Sequence, residues 1–240
     1  NADRGHPNAA LFEVGPVFFG ANADEQPVMA SGIRTGTMGG KHWTGEAASR
    51  EVDVYDAKAD VLRAISACGG PAGNLQVTRD APSYYHPGRS GALRLGPNII
   101  AYFGEIHPAL LDKMKISDKV VGFELFIEKI PEQKKKGTAL PLVDLPSFQP
   151  VKRDFAFLAD KGVEADSFIR AIKSVDRNMI ANVEIFDIYT GKGVEEGKKS
   201  VAIAVTLQPR DHTLTDAEIE GLSQKIVAVV EQKTGASLRG

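Results

Sequence analysis

The sequence predicts an α+β protein of two modules: an antiparallel sheet with few helices, then a unit that runs β-α-β-β-α-β. Three observations carry this. Through residues 1–130, strand-like runs follow one another with only two helical patterns between them, which favours antiparallel pairing over parallel crossovers. Residues 131–146 hold Pro131, Pro141, Pro146, Gly137 and three successive lysines, cannot pack as a regular element, and read as a linker. Beyond them, in residues 147–240, a period-two apolar strand lies between two amphipathic helices.

In the first module, LFEVGPVFF (Leu11 to Phe19) is a short Phe- and Val-rich run closed by Gly20, and reads as a strand. PVMASGIRTG is a second strand, weakened or bulged at Gly32 and Gly36. GGKHWTGEAASR is a polar loop. The period then changes. Tyr55, Ala59, Leu62 and Ile65 or Ser66 recur at helical spacing, Asp53 or Asp56 caps the start, and Gly69-Gly70 ends the helix. NLQVTRD, ALRLG, NIIAYFGEI and VVGFELFIEKI follow as strands, with a short helix, HPALLDKM, that has Pro108 in its first turn.

In the second module, RDFAFLAD is a strand with Phe155 and Phe157 on one face. GVEADSFIRAIKSV is a helix whose stripe is Ala165, Phe168, Ile169, Ile172 and Val175. MIANVEIFDIYTG and KKSVAIAVTLQ are strands joined by GKGVEEG. In the second, Val201, Ile203, Val205 and Leu207 alternate with small residues. The last helix opens with a Thr215/Glu218 capping box, presents Ile219, Leu222, Ile226, Val229 and Val230, and stops at Gly235 before a short strand, ASLR. This order is the ferredoxin-like split arrangement, two helices over one face of a four-stranded sheet, with the other face or the rim left for a partner.

Composition sets limits. Net charge is -2, with 42% hydrophobic and 25% charged residues. No global field draws the chain to nucleic acid or anionic membrane, and no apolar run is long enough for a transmembrane helix. The start lacks the basic and apolar regions of a signal peptide and lacks Met, and reads as part of a longer chain. The single cysteine, Cys68, allows no internal disulfide, favours a reducing cytoplasm, and reads as a buried small hydrophobe. The five histidines show no zinc-ligand spacing, so no metal site is expected. The carboxylate pairs Asp53/Asp56 and Glu195/Glu196 read as cap and turn residues rather than acid-base partners.

The most chemical-looking stretch is YYHPGRSG, Tyr84 to Gly91. It lacks the lysine and spacing of a phosphate loop and is one residue short of a nucleophile elbow. The reading favoured is a type II turn with Pro87-Gly88 at its centre and positive φ at Gly88. A hydrolase using His86 and Ser90 is the alternative.

FEVGPVF, DVYDAKADVLRAI, YYHPGRSG, YFGEIHP and FELFIEKI, followed by PSFQPVKRDFAFLAD, VEIFDIYTGKGVEEGKKSVAIAVTLQ, TLTDAEIE and a terminal LR, resemble in that order the C-terminal part of the bacterial phenylalanyl-tRNA synthetase β subunit. The resemblance implies a class II synthetase-like module without catalytic residues over 1–130, a linker over 131–146 and a ferredoxin-fold anticodon-binding domain over 147–240. It implies a cytoplasmic enzyme of two α and two β subunits that charges tRNA(Phe) with phenylalanine using ATP and Mg²⁺, neither of them bound by this part. The implied partners are the α subunit, a second β subunit and tRNA(Phe). A stand-alone RNA-binding or assembly module is the alternative.

Residues 147–240 hold 13 Lys or Arg against 14 Asp or Glu, so tRNA contact requires a one-sided patch or help from the rest of the enzyme. The candidates are Lys152, Arg153, Arg177, Lys192, Lys198, Lys199, Arg210 and Arg239 for phosphates, with Tyr189 and Phe148 for stacking. Arg153 and Asp154 are alternatively a structural ion pair. Charge reversal at Lys198 and Lys199 is expected to weaken tRNA binding at physiological salt in a filter-binding titration; unchanged affinity removes both from the contact surface.

Overall fold

The computed structural model describes residues 4–39, 43, 50–132, 142 and 145–239. The chain divides into two compact units, Asn1–Ala139 and Leu140–Gly240. Most of the expected linker, and most of the polar loop around Trp43, lie outside the described residues.

The first unit contains strands β1 (Ala9–Pro16), β2 (Val28–Thr35), β3 (Thr37–Met38) and β4 (Arg50–Glu51), then helix α1 (Val54–Ala67). Strands β5 (Gln76–Thr78), β6 (Tyr85–Leu95) and β7 (Asn98–Ile106) follow, then helix α2 (Pro108–Lys113) and strand β8 (Val120–Phe126). Six of these strands form one antiparallel sheet in the order β1-β2-β8-β7-β6-β5, and β3 pairs with β4. Ala30, Leu125, Ala101 and Leu93 lie opposite one another across four strands. They face α1, whose Ala57, Val61 and Ile65 complete the core.

The buried stripe of α1 differs from the expected one. Asp56, Ala57, Val61 and Ile65 point inward, whereas Tyr55 is 71% exposed. The start of the helix explains the rotation. Asp53 accepts from the N–H groups of Tyr55 and Asp56, and Asp56 accepts in return from the N–H of Asp53. Arg50 then clamps Asp56 with two hydrogen bonds of 2.7 and 2.6 Å. A capping box with this clamp turns Asp56 inward, and Tyr55 is carried out to solvent. Cys68 is also a correction: it is the exposed residue that ends α1, not a buried one.

The Tyr84–Gly91 stretch is not a type II turn. It enters strand β6, and Gly88 is absent from the positive-φ glycines of the described chain. Tyr85 lies opposite Ile106 and Ser90 opposite Gly104, so four residues of β6 bulge over one residue of β7. Pro87, which has no N–H for the ladder, sits in this bulge. Side chains stitch it together: the Gly88 N–H donates to His86 Nδ1 at 3.0 Å, and Ser90 Oγ donates to the His86 carbonyl at 2.7 Å. His86 and Ser90 therefore meet through backbone oxygen, and the arrangement is not that of a hydrolase dyad.

The second unit contains β9 (Val151–Asp160), α3 (Ala165–Lys173), β10 (Ile180–Tyr189), β11 (Lys198–Leu207), α4 (Asp216–Thr234) and β12 (Ser237–Leu238). Its antiparallel sheet runs β10-β11-β9-β12. Val201, Ile203, Val205 and Leu207 bury against Phe157, Phe168, Ile172, Ile226 and Val230. The rings of Phe155, Phe157 and Phe168 stack in series at 6.1 Å spacing. In α3, Ala171 rather than Ala165 completes the buried stripe. In α4, Thr215 and Glu218 form the capping box, and Gly235 takes the left-handed conformation that ends the helix. No helix among the described residues is long and apolar enough to cross a membrane.

Phe168 is fully buried at the helical end of this stack, against Phe157. Phe168→Ala is expected to cost about 3–5 kcal/mol in denaturant unfolding of the second unit. A loss below about 1 kcal/mol means that the three-ring stack does not organise the core.

Candidate nucleic-acid interface

Alternation along β9 and β11 sorts the candidate side chains into two faces. Phe155, Phe157, Val201, Ile203 and Val205 face the helices. Lys152, Ala156, Lys198, Ser200, Ala202, Ala204 and Thr206 share the opposite face, because Lys152 lies opposite Thr206 and Lys198 opposite Asp160. Tyr189 joins that face opposite Ser200.

The expected contacts do not form one patch. Lys152, Arg153, Arg177 and Arg210 lie towards one end of the sheet, with Arg210 in a concavity beside Asp176, Asn178 and Asp211. Tyr189, Lys192, Lys198 and Lys199 lie at the other end, around the β10–β11 hairpin. Arg239 joins these two regions. Its N–H donates to the Ala156 carbonyl at mid-strand, and its guanidinium reaches towards Gly193 in the hairpin, 4.0 Å from where a Cβ would stand.

Several of these side chains already have internal partners. Lys198 pairs with Glu195 at 2.7 Å, which raises the lysine and lowers the carboxyl from their ordinary pKa values. Lys199 donates to the carbonyls of Lys161 and Val163 at 3.1 and 2.6 Å. It fastens the β9–α3 loop to the sheet. Tyr189 donates its hydroxyl to the Lys192 carbonyl at 3.2 Å, and the Phe148 carbonyl accepts from Gln208 at 2.8 Å. Arg153 and Asp154 are not an ion pair, since as consecutive strand residues they point to opposite faces.

Sequence reading missed Phe186. The β10 ladder slips between Ile185 and Asp187, and Phe186, held in that bulge, is 57% exposed beside Ile188 and Tyr189 on an edge strand. A ring exposed in this way leaves its face open to stacking. The signal was present: Val183 and Ile185 keep period two, and Phe186-Asp187-Ile188 breaks it.

In the first unit, the two prominent side chains of YYHPGRSG have structural partners. Arg89 grips Glu105 of β7 through two hydrogen bonds of 2.6 and 2.9 Å, Glu105 being buried. The guanidinium holds this carboxyl below the usual glutamate range. His86 stacks on His107 with ring centroids 6.5 Å apart. Both tie the bulge to the neighbouring strand. Among the described residues, no cluster of His, Cys, Asp or Glu is arranged to hold a metal.

Two family models match the chain, over separate stretches. The family model described as "Phenylalanyl tRNA synthetase beta chain CLM domain" matches residues 1–127. The chain belongs to the phenylalanyl-tRNA synthetase β-chain family. A second model, "Ferredoxin-fold anticodon binding domain", matches residues 146–239. Along its whole length the chain is 51% identical to the phenylalanine–tRNA ligase β subunit of Paramagnetospirillum magneticum. It is 48% identical to those of Nitrobacter winogradskyi and Bradyrhizobium diazoefficiens. It spans 30% of the length of each of these relatives. Half of the chain also overlays a solved pyrrolysyl-tRNA synthetase of Desulfitobacterium hafniense at 16% identity, with a TM-score of 0.33. The second unit of this family member is thus an anticodon-binding domain built on a mixed-charge sheet, with its cations at both ends.

Glu105→Gln is expected to destabilise the first unit by about 1–3 kcal/mol at neutral pH, because Arg89 loses its charged acceptor. The sign follows from the lowered carboxyl. The stabilisation is present above the unfolded glutamate pKa, about 4.3, and is lost as pH falls through the lower folded value. Denaturant midpoints of parent and variant should therefore converge under acid conditions. A difference that persists unchanged there means that the ion pair contributes nothing.

Proposed function

We propose that the chain serves phenylalanine–tRNA ligase as the C-terminal part of a β subunit, with one unit docking the α subunit and the other contacting the anticodon region of tRNA(Phe). The carrying observation is an antiparallel sheet with an exposed apolar edge in the same chain as an anticodon-binding domain. The first unit, residues 1–130, is the class II-like module and performs no chemistry of its own. Residues 131–146 act as the linker, and 147–240 as the tRNA-contacting domain. ATP and Mg²⁺ act in the α subunit. The assembly is two α and two β subunits in the cytoplasm.

The α-subunit surface in this reading is the β1 edge. Among the described residues, β1 has a neighbour on one side only. Phe12 is 84% exposed on it, and Phe18 and Phe19, just beyond its end, are 72% and 70% exposed. An unpaired edge with large apolar side chains is a pairing template that needs cover. The relatives are named as β subunits, so a different subunit is the occupant chosen.

For tRNA, the contacts proposed are Lys152, Arg153, Arg177, Tyr189, Lys192, Lys198, Arg210 and Arg239, with Phe186 added as a stacking ring. Lys199 acts indirectly, by holding the loop after β9. Neutralising Lys192 or Arg239 should weaken binding uniformly and reduce its salt dependence, as phosphate contacts do. Phe12→Asp is expected to abolish co-purification of co-expressed α subunit without shifting the thermal midpoint of the chain. Undiminished capture by a folded variant places the docking surface elsewhere.

A further inference from the structure

The face of the first sheet turned away from α1 contains a hollow of about 500 Å3, the size of a small-molecule site. Register builds its floor. Glu13, Ser31, Glu124 and Tyr102 lie directly opposite one another across β1, β2, β8 and β7, so they point to the same side. Phe126, two residues beyond Glu124, extends the floor, and Tyr84 closes one wall.

The chemistry of the walls is one-sided. Two carboxylates line the hollow and no Lys or Arg does. Glu124 is half-buried, and its Oε2 accepts the Tyr84 hydroxyl at 2.6 Å. That hydrogen bond fixes the carboxylate while adding no positive charge. Neither Glu124 nor Glu13 has an ion-pair partner among the described residues. The rings are arranged to receive a cation. Tyr102 meets Phe126 edge-on at 5.7 Å. In the adjoining hollow, the Lys129 ammonium already stands 4.1 Å from the centre of the Phe126 ring. Aromatic faces beside a fixed carboxylate attract an organic cation and repel phosphate.

We propose that this hollow binds a small organic cation, an ammonium or guanidinium on an apolar stem. Its charge lies against Glu124, with Glu13 at the far end of the floor, and its stem lies on Tyr102 and Phe126. This site shares Glu13 and Phe19 with the β1 side of the sheet, but its ligand is a small cation read in the chain alone, so it stands whether or not either partner binds as proposed above.

The test uses the 240-residue chain with 2-phenylethylammonium as probe and 2-phenylethanol as its neutral isostere, followed by amide chemical shifts at neutral pH. The ammonium should move the signals of Ser31, Tyr102 and Glu124, and bind roughly tenfold more tightly than the alcohol. Glu124→Gln keeps an acceptor for Tyr84 and should remove that preference, while alcohol binding stays as it was. Tyr102→Leu should weaken both probes. Three results overturn the proposal: no movement at millimolar ammonium, equal affinity for the alcohol, or unchanged ammonium affinity in a folded Glu124→Gln variant.

Discussion

Helical burial of one face of each antiparallel sheet is the constraint on which the rest of this structure depends. In the first unit, Val61 and Ile65 of α1 pack over Leu93, Ala101 and Leu125. In the second, Phe168 and Ile226 pack over Phe157, Ile203 and Val205. Burying each such side chain contributes roughly 1.5–3 kcal/mol, and a strand offers every second residue to that purpose. The alternate residues are released from the core. They are where Glu124 and Tyr102 stand in one unit, and Lys152, Tyr189 and Lys198 in the other.

The released face also relies on close strand approach. Gly104 and Gly122 lie opposite each other in β7 and β8. A Cβ on Gly104 would collide with Ser90, and one on Gly122 would lie 2.8 Å from the Gly32 carbonyl. The bulge that carries Arg89 to Glu105 adjoins these glycines, so the ion pair and the flat floor belong to one local solution. Arg89 draws the irregular part of β6 back to β7, and β7 then keeps regular pairing with β8 from Ala101 to Glu105.

The anticodon-binding domain has no basic balance to supply general affinity for phosphate. Its cations stand at two ends of the sheet, and two of those with most apparent promise, Lys198 and Lys199, hold the hairpin and the β9–α3 loop in place. In the proposed tRNA contact, the exposed rings on the bulged edge, Phe186 and Tyr189, weigh more than net charge. Base stacking tolerates a neutral surface in a way that phosphate binding does not.

Local and periodic information was legible from the residues. The Thr215/Glu218 box, the Gly235 stop, the Asp53 cap and the alternation from Val201 to Leu207 all appear as read, because each is set by neighbours within a turn or a strand. The ordered motifs also carried the family. Readings of how an element packs went wrong. YYHPGRSG read as a turn because Pro-Gly suits one, yet Ile106 and Gly104 draw the stretch into a bulged strand. Tyr55 read as part of the helical repeat of α1, yet Arg50 and Asp53 turn Asp56 inward and leave Tyr55 in solvent. Cys68 read as buried, yet it ends its helix in solvent. The sequence by itself determined the elements, their caps and the two-part order. Only the tertiary structure decided which face of each element is buried and which cations are left to act, since a side chain's partner across a sheet is set by register and not by nearness along the chain.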